Sequence, residues 1–317
     1  VKKQNIKTVF TPHLGGFFCV KGNFLLFEKK LCNGKVIQSR CMHCLLSQKG
    51  IPHVFSNLAG KTVPMLPSIV KKYLPPQINL IKHRKNELDR VKKYADAIIA
   101  IAPWIKNTFI INGIKENLFL IDQGIDIDAS LRKTKSKKAV KIPVKLVFAS
   151  RMNPSKGFHL LREALQRVDN SNFELHVYTM KDDTEPEYFE DQKLWAKSRK
   201  NVLWNDNKSH SDFLKELSGM DLLILPSISN EMAPLVILEA FAMKIPVLGS
   251  GYPAISDLIN ENINGKIFRN GDTNDLENKI SEITYNPEIV HQWSSNIDQV
   301  RSTRDIAMEM IEIYNSI

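Results

Sequence analysis

The chain has 317 residues, more than one ordinary hydrophobic core holds, so its length predicts two domains. Hydrophobic residues make up 43% of it, a composition typical of soluble globular proteins, and no apolar run is long enough to cross a bilayer. The first residues, 1–4, are polar and no apolar segment follows them, so no secretory signal is predicted and we expect a cytoplasmic protein.

The net charge of +10 is divided unevenly along the chain. Residues 1–142 contain 26 Lys and Arg against 8 Asp and Glu, a net charge of +18, and the remaining residues have a net charge of −8. This division predicts two domains with different partners. The basic half suits an anionic membrane surface or a phosphate-bearing acceptor, and a merely soluble basic surface is the alternative. Nucleic acid is disfavoured because the basic residues are not interleaved with a stacking-aromatic motif.

The first domain is predicted to begin with a strand over 6–11 that runs into a Pro-His-Leu-Gly-Gly turn. His13 would then follow the carboxyl end of a strand, where open α/β sheets bind ligands; a structural histidine in a turn is the alternative. Prolines predict a loop with at most a short helix over 61–80. The remaining predicted elements are strands over 51–56, 96–101 and 117–121 and helices over 84–95 and 103–112.

All four cysteines lie between residues 19 and 44, at Cys19, Cys32, Cys41 and Cys44. The last two have the C-x2-C spacing that suits one tetrahedral metal ion, so a structural zinc is one prediction. The wide spacing from Cys19 to Cys32 is less diagnostic, and ordinary thiols packed in a small insertion are the alternative. Disulfides are not expected in a reducing cytoplasm.

A segment poor in apolar residues, 122–142, predicts an exposed linker that carries Lys133, Lys135, Lys137 and Lys138. It divides an N-terminal domain (1–142) from a second domain (143–300). Strands with helical stretches between most of them predict a doubly wound parallel sheet for the second domain; they are expected over 145–150, 173–179, 202–204, 222–225, 245–248 and 266–268. The last segment, 301–317, is predicted to be an amphipathic helix that packs back on the first domain.

Two cations follow the first strand of the second domain, in the loop Ser150-Arg-Met-Asn-Pro-Ser-Lys-Gly157. Arg151 and Lys156 beside a helix N-terminus predict an anion site, because free backbone amides there add to their charge. The loop matches neither a Walker motif nor G-x-G-x-x-G. Two solvated surface cations are the alternative.

Two carboxylates flank the start of a helix that is apolar nearly all round, over residues 235–243. Glu239 is the only polar residue of that helix, and a carboxylate on a buried helix is costly unless a partner compensates for it. Glu231 lies eight residues earlier, in the preceding loop, and Pro234 is predicted to be the first helical residue. Isolated acids in strained surroundings indicate a site. The alternative is a Glu239 that meets a core partner and a solvated Glu231.

The motifs together resemble the retaining glycosyltransferases of family 4, over nearly the whole chain and most strongly from residue 145 to 272. The most specific match is the paired-glutamate motif Glu231-Met-Ala-Pro-Leu-Val-Ile-Leu-Glu239, and the Arg151…Lys156-Gly157 loop matches the family's diphosphate-binding pair. The resemblance implies an α/β GT-B fold, with two Rossmann-like doubly wound domains that face a cleft. It also implies an incomplete N-terminal domain, since family members begin with further βα units.

By this resemblance the chain transfers a sugar from a UDP- or GDP-linked donor, with retention, to a glycan or lipid-linked acceptor in cell-surface polysaccharide synthesis. Arg151 and Lys156 would hold the diphosphate and Glu239 the ribose hydroxyls. Glu231 and His13 would act at the donor sugar as catalytic groups. The backbone of Met232, Ala233, Pro234 and Leu235 would contact the same sugar. No metal cofactor is expected for catalysis, and the enzyme is expected to be cytoplasmic, at the inner face of the membrane. A non-catalytic protein that binds a nucleotide or a partner chain is the alternative.

Overall fold

A computed structural model describes residues 6–65, 76–128, 131, 140–206 and 208–317, without the side chains of 64 and 76–78. The chain forms two compact units. The first comprises Val1–Gln123, Asn230–Ala233 and Ile306–Ile317, and the second comprises Gly124–Ser229 and Pro234–Asp305. The four lysines of the predicted linker lie outside the described residues.

The first unit contains a parallel three-stranded sheet. Its strands are β1 (Val9–Phe10), β4 (Ala97–Ala100) and β5 (Leu118–Leu120), in the order β1-β4-β5. β2 (Leu25–Leu26) and β3 (Lys30–Leu31) form a separate antiparallel pair. The helices are α1 (Gln38–Gln48), α2 (His53–Thr62), α3 (Pro76–Tyr94) and α4 (Pro103–Ile111). β4 is buried at every residue, as expected for a strand covered on both faces.

Two predictions for the first unit are wrong. The predicted strand over 51–56 is part of helix α2, whose Ser56 and Gly60, four residues apart, both face α1. Part of the predicted loop over 61–80 belongs to α3, because proline at the first helical position costs no hydrogen bond. Residues 66–75 of that loop lie outside the described residues.

The second unit is a fully parallel six-stranded sheet in the order β11-β10-β9-β6-β7-β8. Its strands are β6 (Val144–Ala149), β7 (Phe173–Thr179), β8 (Val202–Asp206), β9 (Leu222–Leu225), β10 (Val247–Ser250) and β11 (Gly265–Phe268). The helices are α5 (Phe158–Leu165), α6 (Pro186–Lys197), α7 (His210–Leu217), α8 (Leu235–Ala242), α9 (Pro253–Ser256), α10 (Thr273–Tyr285) and α11 (Glu288–Asn296). The prediction of a doubly wound sheet is confirmed.

The sheet of the second unit is covered by apolar side chains on both faces. Leu146, Phe148 and Leu222 belong to one buried cluster, and Val147 and Leu223 to the other. Adjacent residues of one strand therefore enter opposite clusters, which explains why β6 and β9 are nearly continuous apolar runs.

Two boundaries near the paired glutamates differ from prediction. Pro234 has an extended ψ of 99° and caps α8, so the helix begins at Leu235. β10 begins two residues later than predicted because the Ile245 amide donates to the Ala240 carbonyl at the end of α8.

The last helix, α12 (Thr303–Ser316), contributes apolar residues to the first unit. Its Ile306, Met310 and Ile313 pack with Ala97 and Ile99 of β4. Among the described residues, no helix combines the length and the apolar character needed to cross a membrane.

Candidate active site

The strand order of the second unit places a switch point between β6 and β9. From this pair the chain winds outward in both directions, so the loops that leave the carboxyl ends of β6 and β9 diverge and leave a crevice. Ligands of open α/β sheets bind at this point. The predicted anion loop follows β6, and the loop towards α8 follows β9.

The loop after β6 is held in one conformation by local contacts. The Asn153 side chain accepts the Ser155 amide at 3.0 Å, and Pro154–Lys156 forms a single 3-10 turn. Gly157 has a φ of 71°, and a Cβ built there would lie 1.8 Å from the Pro226 carbonyl oxygen. The Ile228 amide donates to the Ser155 carbonyl at 2.9 Å, which joins this loop to the one after β9.

Arg151 is exposed in that loop and is only loosely paired. Its Nη1 lies 3.6 Å from Asp182 Oδ2. Asp182 is buried, and hydrogen bonds from Thr184 and Asn153, followed by the Arg151 charge, hold its pKa below the usual range. Asp182 therefore stays ionised and orients the guanidinium, which keeps donors for an anion because it has five. Lys156 is half-buried at the end of the 3-10 turn.

A cavity of about 290 Å³ opens beside Arg151. Its walls come from the ends of β6 and β7, from the start of α7 and from α8. The lining residues are Ala149, Ser150, Arg151, Tyr178, Thr179, Met180, Lys208, His210, Phe213, Val236 and Glu239. Tyr178 and Phe213 stack edgewise with ring centroids 5.2 Å apart. The Tyr178 hydroxyl donates to Glu216 Oε2 at 2.7 Å, and burial raises its pKa.

Glu239 is paired with His210, a residue that was not predicted from the sequence. His210 Nε2 lies 2.8 Å from Glu239 Oε1, with 13% of the glutamate side chain exposed against 68% of the histidine. The sequence signals a helix start here, since the Ser209 hydroxyl accepts the Asp212 amide as an N-cap, but it does not indicate that His210 reaches Glu239. A carboxylate accepts at about four positions, so Glu239 keeps capacity for a ligand.

The predicted site residues are divided between the two units. Arg151, Lys156, Pro234, Leu235 and Glu239 belong to the second unit, and Arg151 and Glu239 line its cavity. The other predicted residues belong to the first unit; they are His13, Glu231, Met232 and Ala233.

Within the first unit, the segment Asn230–Ala233 is tied by two hydrogen bonds. Trp104 Nε1 donates to the Met232 carbonyl at 3.2 Å, and the Asn230 amide donates to the Asn23 carbonyl at 3.2 Å. Glu231 is half-buried there. His13 is exposed, three residues beyond the end of β1.

The predicted zinc site is not supported. Cys19, Cys32, Cys41 and Cys44 do line one small cavity of about 40 Å³. Among the described residues, however, no group of three or more His, Cys, Asp and Glu side chains is arranged to hold a metal ion. The Cys44 sulfur accepts the Phe27 amide at 3.2 Å instead, and burial raises the pKa of the Cys41 thiol. The alternative of packed thiols fits these contacts.

The family model of "Glycosyl transferases group 1" matches residues 131–300, more than half of the chain. The chain belongs to this family. The crystal structure of Anabaena HepE in complex with UDP and glucose superimposes with a TM-score of 0.63 at 19% identity, over 74% of this chain and 67% of HepE. The predicted fold class is confirmed: the chain has the α/β fold of GT-B glycosyltransferases.

Two curated proteins are also similar to the chain in sequence. An uncharacterized 41.2 kDa protein in the cps region of Klebsiella pneumoniae is 22% identical over 240 residues, which cover 71% of this chain and 62% of that protein. An uncharacterized glycosyltransferase of Methanocaldococcus jannaschii is 24% identical over 259 residues, which cover 78% and 63%. The matched region therefore spans less than two thirds of either relative.

Proposed function

We propose that the chain transfers a sugar, with retention at the anomeric carbon, from a nucleoside-diphosphate sugar to a glycan or lipid-linked acceptor. One observation carries the proposal: the cavity at the switch point is lined by both a loosely paired cation, Arg151, and a carboxylate, Glu239. A nucleoside diphosphate has the matching groups, an anionic diphosphate and a pair of ribose hydroxyls.

In this proposal Arg151 and Lys156 stabilise the charge that develops on the departing diphosphate, with backbone amides of their loop. Glu239 accepts the ribose hydroxyls, and Tyr178 and Phe213 form the apolar wall beside the base. Glu231 and His13 act on the donor sugar, together with the backbone of residues 232–235. The family membership supports the transferase class, and HepE, of the same fold, is described with UDP and glucose.

Calorimetry with UDP and GDP tests the donor site. The wild type is expected to bind one of them, and Glu239→Gln to weaken that binding by about 10- to 100-fold, because hydrogen bonds to a charged group contribute about 1.5–3 kcal/mol. Glu190→Gln is the matched control, an exposed glutamate on α6 of the same unit. Equal affinity of Glu239→Gln and Glu190→Gln, both folded, would show that Glu239 does not hold the nucleotide.

Turnover separates a transferase from a non-catalytic nucleotide-binding protein. Release of nucleoside diphosphate from a panel of nucleotide sugars is expected with the wild type. Glu231→Gln is expected to keep diphosphate affinity and to lower kcat, because Glu231 is assigned to the transferred sugar alone. Binding without release from any donor of the panel would favour the non-catalytic alternative.

We assign the acceptor to cell-surface polysaccharide synthesis, with peripheral association at the inner face of an anionic membrane. The support is the net charge of +18 over residues 1–142 and the relative in the cps region of Klebsiella pneumoniae. Product analysis with lipid-linked and free glycan acceptors tests this assignment. Transfer to free glycans alone would contradict it.

A further inference from the structure

Charge of a single sign extends over one long segment of the first unit. From Lys29 to Asn86 the sequence contains eleven Lys and Arg residues and no Asp or Glu. α1 and α2 lie entirely within this segment. Lys49 precedes α2 and Lys61 lies in its last turn, and both are exposed.

Helix α2 buries its side of small residues and exposes its apolar side. The side that it buries carries Ser56 and Gly60, and those are its two buried residues. Its exposed side carries Val54, Phe55 and Leu58, which are 77%, 65% and 60% exposed. A water-facing helix normally places charged and polar residues on its outer side and apolar ones inside.

The buried side of α2 is fixed against α1, so the helix cannot turn its apolar side inward. A Cβ on Gly60 would lie 2.6 Å from the Ser39 carbonyl oxygen, which shows how closely the two helices approach. The Ser56 hydroxyl lies 3.0 Å from the Ser47 hydroxyl on α1. Rotation of α2 would insert Phe55 or Leu58 where only a glycine fits.

We propose that the exposed face of α2, formed by Val54, Phe55 and Leu58 and flanked by Lys49 and Lys61, inserts into an anionic lipid bilayer. An interfacial helix has this composition, with aromatic and aliphatic side chains that enter the acyl boundary and lysines that meet the headgroups. The unbroken positive charge of residues 29–86 favours an anionic bilayer over a protein surface, where both signs of charge are ordinarily mixed. The proposal deepens the membrane association given above and names the surface responsible.

Vesicle flotation tests the surface directly. Vesicles of phosphatidylcholine alone are compared with vesicles that also contain phosphatidylglycerol, at low and high salt. The wild type is expected to float with the anionic vesicles and to be released partly by salt, since the charge contribution is screened and the apolar one is not. Leu58→Glu is expected to lower the partition coefficient by at least about tenfold.

The matched control is Leu194→Glu, which changes a 72% exposed leucine on α6 of the second unit. It is expected to float as the wild type does. Leu58→Glu is expected to bind UDP or GDP with the affinity of the wild type. Calorimetry that shows this affinity confirms that the variant is folded and that its flotation is changed independently of the nucleotide site. A Lys49→Gln, Lys61→Gln double variant is expected to weaken anionic-vesicle binding and its salt dependence together.

Three results would overturn the proposal. One is equal flotation of Leu58→Glu and Leu194→Glu, and another is equal wild-type flotation with neutral and anionic vesicles. The third is wild-type self-association, measured by light scattering, that Leu58→Glu abolishes while neither protein floats; this result would assign the face to a protein contact.

Discussion

Gly157 determines whether the anion loop can form. Its φ of 71° already costs a residue with a side chain about 1–2 kcal/mol, and the Pro226 carbonyl oxygen occupies the place of a Cβ. Gly157→Ala is expected to lower the free energy of unfolding by more than that and to weaken nucleotide binding. Urea denaturation and calorimetry measure the two effects.

Gly271→Ala is the matched control, because Gly271 has a φ of 69° with nothing within 4 Å of a built Cβ. This variant is expected to show the conformational cost alone. Equal destabilisation of the two variants would mean that the contact with Pro226 relaxes and that the loop does not need a glycine.

At the same scale, the sequence predicted that Glu239 needs a partner but not which one. His210 is 29 residues away along the chain, and it reaches Glu239 because α7 and α8 pack in the same buried cluster on one face of the sheet. Arg151 was predicted from local sequence alone, since the strand, the loop and its cations are contiguous. A site whose residues are contiguous can therefore be predicted from the sequence, whereas a pair of residues brought together only by the fold cannot.

At the scale of elements, the contact between α1 and α2 is expected to depend on pH. His43 is 8% exposed, its Nε2 has no hydrogen-bond partner among the described residues, and its ring lies 4.2 Å from that of His53. Burial, and secondarily the charge of His53, lowers the pKa of His43. The unfolded chain then binds the proton more tightly than the folded one. Stability is therefore fully present above the unfolded pKa of about 6.5 and is lost as the pH falls through the folded pKa.

Urea denaturation of the whole chain between pH 7.5 and 5.5 measures this loss. His43→Leu is expected to flatten the dependence, because it removes the buried titrating group. His83→Gln, an exposed histidine on α3, is expected to retain the wild-type dependence. The assignment to His43 fails if the slope persists in His43→Leu.

Elements of the second unit were predicted more accurately than those of the first. β9 matches the predicted bounds because it is a short apolar run with abrupt ends, and β7 matches because apolar residues alternate with polar ones over most of its length. α2 was misassigned because Val54 and Phe55 resemble a strand, and the small residues that face α1 give no apolar periodicity. Sequence patterns fail where the buried side of an element is not its apolar side.

For the whole molecule, the sequence predicted the division into two units only in part. Asn230–Ala233 belongs to the first unit although both neighbouring elements belong to the second. Ile306–Ile317 also belongs to the first unit, although the residues before it, 234–305, belong to the second. The amphipathic pattern of the last segment predicted that it returns to the first domain. The place of Asn230–Ala233 depends on contacts between residues far apart in sequence, which local composition does not record.

The two proposed ligands are therefore expected to protect different units. At a UDP or GDP concentration of 100 times Kd, a site that must open for exchange is stabilised by about 2.7 kcal/mol, so hydrogen exchange slows by about 100-fold. We expect this slowing in peptides that cover 150–157 and 235–242 and little change in α2. Anionic vesicles are expected to protect α2 and to leave 150–157 unchanged. Glu239→Gln is expected to reduce the first effect to about 2- to 10-fold at the same nucleotide concentration, because its Kd is raised 10- to 100-fold. Leu58→Glu is expected to weaken the second effect. Protection of α2 by the nucleotide without protection of 150–157 would show that the nucleotide binds to the first unit and that the proposed site is wrong.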